Sequence, residues 1–327
     1  MLRIIKSGTD EEKEFFEKLA QRNAKDNDEV DNIVRDIIDN VRINGDKAIF
    51  EYTGKYDCVD VTNYKLKVED AEIQEACKNV DPKLLESINR AKKNIEKYHQ
   101  KQVENSWIST EENGVLLGQL YRPLEIVGVY VPGGTAPLIS SVLMSIIPAK
   151  IAGVGKIIMV TPPQKDGKIN PAILAAAKEA GADEIYAVGG AQAIAALAFG
   201  TQTIPRVDKI VGPGNIYVAT AKKMVYGICD IDMFAGPSEI TIIADDTANP
   251  VYVAADLLSQ AEHDPLAASI LLTTSEDIAL QVKTEIKRQC QYLERNEIIN
   301  KSITEYGGAI IVDSIDQAVK IVNDIST

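Results

Sequence analysis

The chain has 327 residues, 45% of them apolar and 25% charged, with 21 Gly and 13 Pro. At roughly 100–200 residues per domain these values exclude a single small module, a disordered chain and a collagen-like one. Its 48 acidic side chains outnumber 35 basic ones, a net charge of −13, so nucleic acid, whose phosphates demand clustered positive charge, is not an expected partner.

Residues 10–26 carry an apolar stripe at Phe15, Phe16 and Leu19 and little else to pack with, which predicts a helical arm over residues 1–27. From Val30 to Gln102 apolar positions recur at spacings of three and four, as in Ile33, Ile37, Ile38 and Val41. The spacing predicts helices that coat one face of a sheet. Beyond Gly114 the run VLLGQLYRPLEIVGVYVPGG is rich in β-branched residues and reads as two strands. Two uncharged stretches follow, Ile126–Ala149 and Ile185–Pro205. Each has the length of a membrane span, but their internal Gly and Pro make them a buried strand, a tight turn and a helix, so no membrane association is expected.

The segments KIIMVTPP, NPAILAAAKEAGA, EIYAVGG, AQAIAALAFG, KIVGPG and NIYVATAKKMVYG alternate strand and helix. A second series runs ITIIAD, a helix from Pro250, SILLTT, a helix from Glu276, AIIVDS and a last helix. Continuously hydrophobic strands joined by helices of about a dozen residues indicate parallel sheets covered on both faces. The last helix runs to the final residue without a cap or a polar tail, as a cut chain would. Cys58, Cys77, Cys229 and Cys290 are dispersed without a CxxC pair, and the first residues turn acidic where a signal peptide is apolar. A reducing, cytoplasmic location is the expectation.

Neither GxGxxG nor GxxxxGK[ST] occurs, so the usual dinucleotide fingerprint and the P-loop are both absent. In their place stand glycine-rich turns at strand ends: Tyr130–Gly134, Gly189–Gln192, Gly212–Asn215 and Gly236–Glu239. An open α/β sheet builds its ligand crevice at such ends. Any one of these turns could serve chain reversal alone, whereas four together point to a ligand. Gln192 and Asn215 add neutral groups able to donate and accept, which suit a ribose or an amide.

Only two histidines are present, His99 and His263. His99 lies in a charged helical segment and reads as solvated. Gln260 and His263 are three residues apart near a helix end and share a face, which allows a metal pair. A charged imidazole facing the helix C-terminal dipole is the other reading, and two ligands are half of what zinc takes. Glu262 and Asp264 beside it read as solvated helix-end residues. A metal-dependent hydrolase finds neither a nucleophile motif nor enough ligands here.

The motifs VYVPGG, GGAQAIAALAFGT, KIVGPGNIYV, FAGPSEI and DLLSQAEHDP, in this order, together resemble the histidinol dehydrogenase family over essentially the whole chain. The resemblance implies two incomplete Rossmann-like domains with parallel sheets, plus the N-terminal arm, in a homodimer. Residues 28–128 and 239–327 would form the first domain and 129–238 the second, nucleotide-binding one. It implies NAD-dependent oxidation of L-histidinol to L-histidine through the aldehyde, with zinc holding the substrate. NAD contacts fall on Tyr130, Gln192 and Asn215, substrate contacts on Ser238, Gln260 and His263, and zinc on Gln260 and His263, with the substrate's imidazole and amine completing the metal's sphere. The family's catalytic Glu-His pair, two further zinc ligands and its small C-terminal domain find no counterpart, so no catalytic residue is assigned and an inactive chain is expected. The alternative is a non-catalytic fragment that binds NAD or an imidazole ligand.

Overall fold

A computed structural model describes residues 1–24, 28–57, 59–133, 138–234 and 239–325. In chain order the first elements are β1 (Arg3–Lys6), α1 (Asp10–Ala24), α2 (Asp28–Asn44), α3 (Asp46–Tyr56), α4 (Asp70–Asn79) and α5 (Pro82–His99). A hairpin, β2 (Trp107–Thr110) and β3 (Leu116–Gln119), precedes β4 (Ile126–Tyr130), α6 (Ile139–Ile151), β5 (Lys156–Thr161), α7 (Pro171–Ala180) and β6 (Glu184–Ala187). Then come α8 (Gly190–Phe199), β7 (Lys209–Val211), α9 (Ile216–Val225) and β8 (Asp230–Ile231). The remainder is β9 (Glu239–Ala244), α10 (Pro250–Ala261), β10 (Ala268–Thr273), α11 (Glu276–Cys290), α12 (Asn296–Tyr306), β11 (Gly307–Ile311) and α13 (Ile315–Ile325).

Two compact units result, one of residues 27–234 and one of residues 1–26 with 235–327. Each is an α/β layer structure on its own parallel sheet. In the larger unit the strand order is β6-β5-β4-β7-β8, all parallel. Alternation along its strands feeds two cores. Ile158 and Val160 of β5 join one cluster, while Ile157 and Met159 join the other. The first cluster takes Val34, Ile37, Ile38 and Val41 of α2 with Ile194 and Leu197 of α8. The second takes Ile88 of α5 with Ile146 of α6 and Ile173 of α7. Gly128 in β4 permits this closeness, because a Cβ there would lie 2.9 Å from a Leu197 methyl.

The helices of residues 28–99 therefore split between both faces of one sheet instead of coating a single face. They pack with residues 129–234, not with 239–327 as the sequence suggested, because their apolar stripes close against α6 to α9.

The smaller unit has strand order β1-β11-β10-β9, again parallel. The helical stretch at the N-terminus is α1, and the strand before it was not anticipated. β1 pairs along β11, Arg3 opposite Gly308. Phe15 of α1 is buried over Gly308, where a Cβ would stand 2.8 Å from its ring. No helix among the described residues is long and apolar enough to cross a membrane.

Candidate functional site

In the larger unit the chain runs outward from β4 through β5 to β6, then returns to place β7 on the other side of β4. The loops after β4 and β7 consequently part in opposite directions, leaving a crevice beyond the carboxyl ends of the strands. A cavity of about 610 Å³ occupies that position. The N-terminal residues of three helices, Asn170 before α7, Gly190 of α8 and Asn215 before α9, reach its wall. Unpaired amide groups and the helix dipole make such ends receptive to anions.

Tyr130, Gln192 and Asn215, the three residues expected to bind a nucleotide, all line this one cavity. Tyr130 is buried at the end of β4, and its hydroxyl oxygen accepts the Gly190 N–H at 3.2 Å. Burial pushes the phenol up to about 12, so the group stays protonated and keeps an O–H to donate. Gln192 is only 2% exposed, and its amide has no hydrogen-bond partner among the described residues. A buried polar group of this kind calls for a ligand or water. Asn215 caps α9 by accepting the Val218 N–H at 3.1 Å through Oδ1, which leaves its amide hydrogens for another acceptor.

The turn carrying Asn215 is held from beneath. The buried Lys222 Nζ donates to the Gly212 carbonyl at 3.0 Å and to the Asp232 carboxylate. The same carboxylate accepts the Gly212 N–H at 2.8 Å and the Met233 N–H at 2.7 Å. Gly212 has φ +112°, and a Cβ there would collide with the Tyr130 carbonyl, so only glycine fits.

Sequence reasoning missed Asp57, which follows α3 and lines the cavity. Its Oδ2 is buried without a hydrogen-bond partner among the described residues, and burial pushes the carboxyl up to about 6. Among the described lining residues Asp57 is the only Asp, Glu, Lys, Arg or His. A lone aspartate between Tyr56 and Cys58 has no periodicity or motif that could have revealed it.

Gln260 and His263 belong to the smaller unit, Gln260 in the last turn of α10 and His263 just past its C-cap Glu262. The His263 N–H donates to the Gln260 carbonyl at 3.2 Å, so the two residues are neighbours on one turn, Gln260 half-buried and His263 exposed. Among the described residues no group of three or more His, Cys, Asp or Glu is placed to hold a metal. Two such side chains supply at most half of the four ligands that a tetrahedral zinc takes. Asp264 caps the following turn by accepting the Leu266 N–H at 2.7 Å, in keeping with a helix-end role. Ser238, with the rest of Ala235–Ser238, lies outside the described residues. The His99 ring is hydrogen-bonded to Gln102 at the end of α5.

Comparison with known proteins supplies the remaining evidence. The family model for histidinol dehydrogenase matches residues 20–327. A histidinol dehydrogenase of Clostridium acetobutylicum is 54% identical over 326 residues, covering all of this chain and 75% of that protein. One from Listeria innocua is 53% identical over 94% of this chain and 71% of its own length. The crystal structure of histidinol dehydrogenase from Elizabethkingia anophelis superposes with a TM-score of 0.85 at 44% identity, over 90% of this chain and 67% of that one. The chain thus spans about three quarters of the first two relatives, and it belongs to the histidinol dehydrogenase family.

Proposed function

We propose that this chain serves the NAD-dependent, zinc-dependent oxidation of L-histidinol to L-histidine through L-histidinaldehyde, the closing steps of histidine biosynthesis in the cytoplasm. The observation that carries the reading is the cavity beyond β4 and β7, lined together by Tyr130, Asn215 and the buried Gln192, whose amide has no hydrogen-bond partner among the described residues. Overall, two NAD⁺ and one water convert the alcohol to the carboxylate, giving two NADH and three protons. Each NAD⁺ takes one hydride from the same substrate carbon.

In this reading the Gln192 amide and the Asn215 Nδ2 orient the nucleotide, while the Tyr130 hydroxyl donates to it from a dry wall. Its pyrophosphate is served by helix N-termini, since no Lys or Arg lines the cavity among the described residues. Gln260, His263 and Ser238 hold the substrate, and Gln260 and His263 would hold zinc together with the substrate's own imidazole and amine. A bound zinc would supply orientation, acting as a template for the substrate through its imidazole and amine. Proton removal has no assigned base: His263 would be taken by the metal, and His99, at the end of α5, is not among the described residues that line the cavity.

The chain is also proposed to form a homodimer, which the uncovered apolar β2–β3 hairpin favours. The accounting of both histidines favours one second reading, a fragment that binds NAD or an imidazole compound without turnover.

Calorimetry on a polypeptide of these 327 residues is expected to show NAD⁺ binding that Gln192→Ala weakens about 10-fold. NADH formation with histidinol and zinc is expected to fall at least about 100-fold below that of a full-length relative, the size of a lost general base. Near-normal turnover would refute the account of the base, and tight histidinol capture without zinc would favour the second reading.

A further inference from the structure

We infer that Asp57 reads the sugar of the nucleotide: its carboxylate accepts from a ribose hydroxyl pair and selects the cofactor with a free 2′-hydroxyl over its 2′-phosphorylated form. The inference rests on the cavity being the NAD site.

An ionised carboxylate only accepts hydrogen bonds. Asp57 Oδ2 is buried and accepts none among the described residues, while the backbone N–H of Asp57 is already spent on the Thr53 carbonyl at 3.0 Å. With no partner among the described residues, that oxygen is open to a ligand or to water. The charge is felt by the Tyr130 hydroxyl, whose proton it helps to retain, so Asp57 stands within electrostatic reach of the cavity wall that receives the nucleotide.

The donors that NAD offers are its ribose hydroxyls and two amide or amine groups. A cis-diol presents two adjacent O–H donors to the two oxygens of one carboxylate, as in dinucleotide sites where an acidic residue holds the ribose. The amide and amine groups find neutral partners elsewhere in the same cavity, in Gln192 and Asn215. The pyrophosphate is repelled by Asp57 and has the N-termini of α7, α8 and α9 instead.

Exclusion of a 2′-phosphate follows from the same inventory. Such a group adds about two negative charges, and enzymes that accept it supply an arginine. This cavity supplies one carboxylate and, among its described residues, no cation.

Calorimetric titration of the full 327-residue chain with NAD⁺ and with NADP⁺, for the parent, Asp57→Asn and Asp57→Ala, tests the assignment. The parent is expected to prefer NAD⁺ by about 100-fold, and both variants to lose about 10-fold of NAD⁺ affinity. NADP⁺ affinity is expected to hold or improve, so the preference contracts by about 10-fold or more. A merely structural Asp57 would leave that ratio alone. An equal loss for both nucleotides, or unchanged NAD⁺ affinity, overturns the inference while the cofactor site stands. A parent chain that binds neither nucleotide overturns the cofactor reading and this inference with it.

Discussion

Asp57 and Glu184 show how one chain treats two carboxylates in opposite ways. Burial opposes ionisation of both, but Glu184 is met by Lys67 at 2.6 Å, Lys156 at 2.9 Å and the Tyr186 hydroxyl at 3.0 Å, which pull it down to about 2. Asp57 Oδ2 has no hydrogen-bond partner among the described residues, and the carboxyl rises to about 6 from an ordinary 3.8. The folded chain therefore holds the Asp57 proton more tightly than the unfolded chain does. Stability falls as pH rises from about 4 to about 6, and the whole penalty remains above that window. Asp57→Asn is expected to stabilise the ligand-free chain by about 1–3 kcal/mol at neutral pH, with the difference vanishing below pH ~4. Urea denaturation across pH reads this directly, and equal midpoints at neutral pH would mean that the carboxylate is hydrated. For Glu184 the sign reverses, its contribution being present above about 4.5 and lost towards 2. Gln192 and Asn215 were readable in the sequence because glycines mark their turns. Asp57 was not, since its significance comes from what surrounds it in space.

At the scale of elements, the Lys222–Asp232 pair decides whether the turn after β7 keeps its shape. Lys222 lies on α9, the helix that Asn215 caps, and Asp232 directly follows β8, and together they satisfy the carbonyl and the amide of Gly212. Lys222→Met keeps the apolar stem but removes the tether and leaves Asp232 with backbone donors alone. Asp232 is partly exposed, with 30% of its side-chain surface accessible, so the expected loss of about 1–3 kcal/mol is below that for breaking a fully buried pair. NAD⁺ affinity is expected to drop several-fold alongside it. A chemical melt paired with calorimetry checks both, and lost stability with intact affinity would separate the clamp from the site. The βα units from Lys156 to Val225 were plain in the sequence, since strands buried on both faces are continuously apolar. β1 and β8 have four and two residues, too few to display a period. α12 passed unnoticed because its polar sequence buries only Ile299, Ser302 and Ile303.

For the whole molecule, the sequence conveyed two parallel-sheet units but misassigned residues 28–128, because an amphipathic stripe states that a partner exists without naming which sheet it is. The β2–β3 hairpin poses the same question one level higher. Its strands pair antiparallel, Trp107 opposite Gln119 and Ile108 opposite Gly118, and all eight positions are exposed. A two-stranded ribbon is marginal in water, and this one presents Trp107, Ile108, Leu116 and Leu117 at 52–71% exposure. Strand alternation sets Trp107 and Leu117 on one face of the ribbon and Ile108 and Leu116 on the other, so both faces are apolar, and exposed apolar surface of this kind marks an interaction site that a second copy would cover. Light scattering is accordingly expected to give twice the chain mass at micromolar concentration, and Leu116→Asp to give a monomer with an unchanged melting temperature. Trp107 is the only tryptophan, so its emission reports the same event. It is expected to shift to the blue as the parent chain is concentrated and to stay red in the variant. A parent that remains monomeric, with red emission at every concentration, would remove the homodimer and leave the hairpin to some other partner.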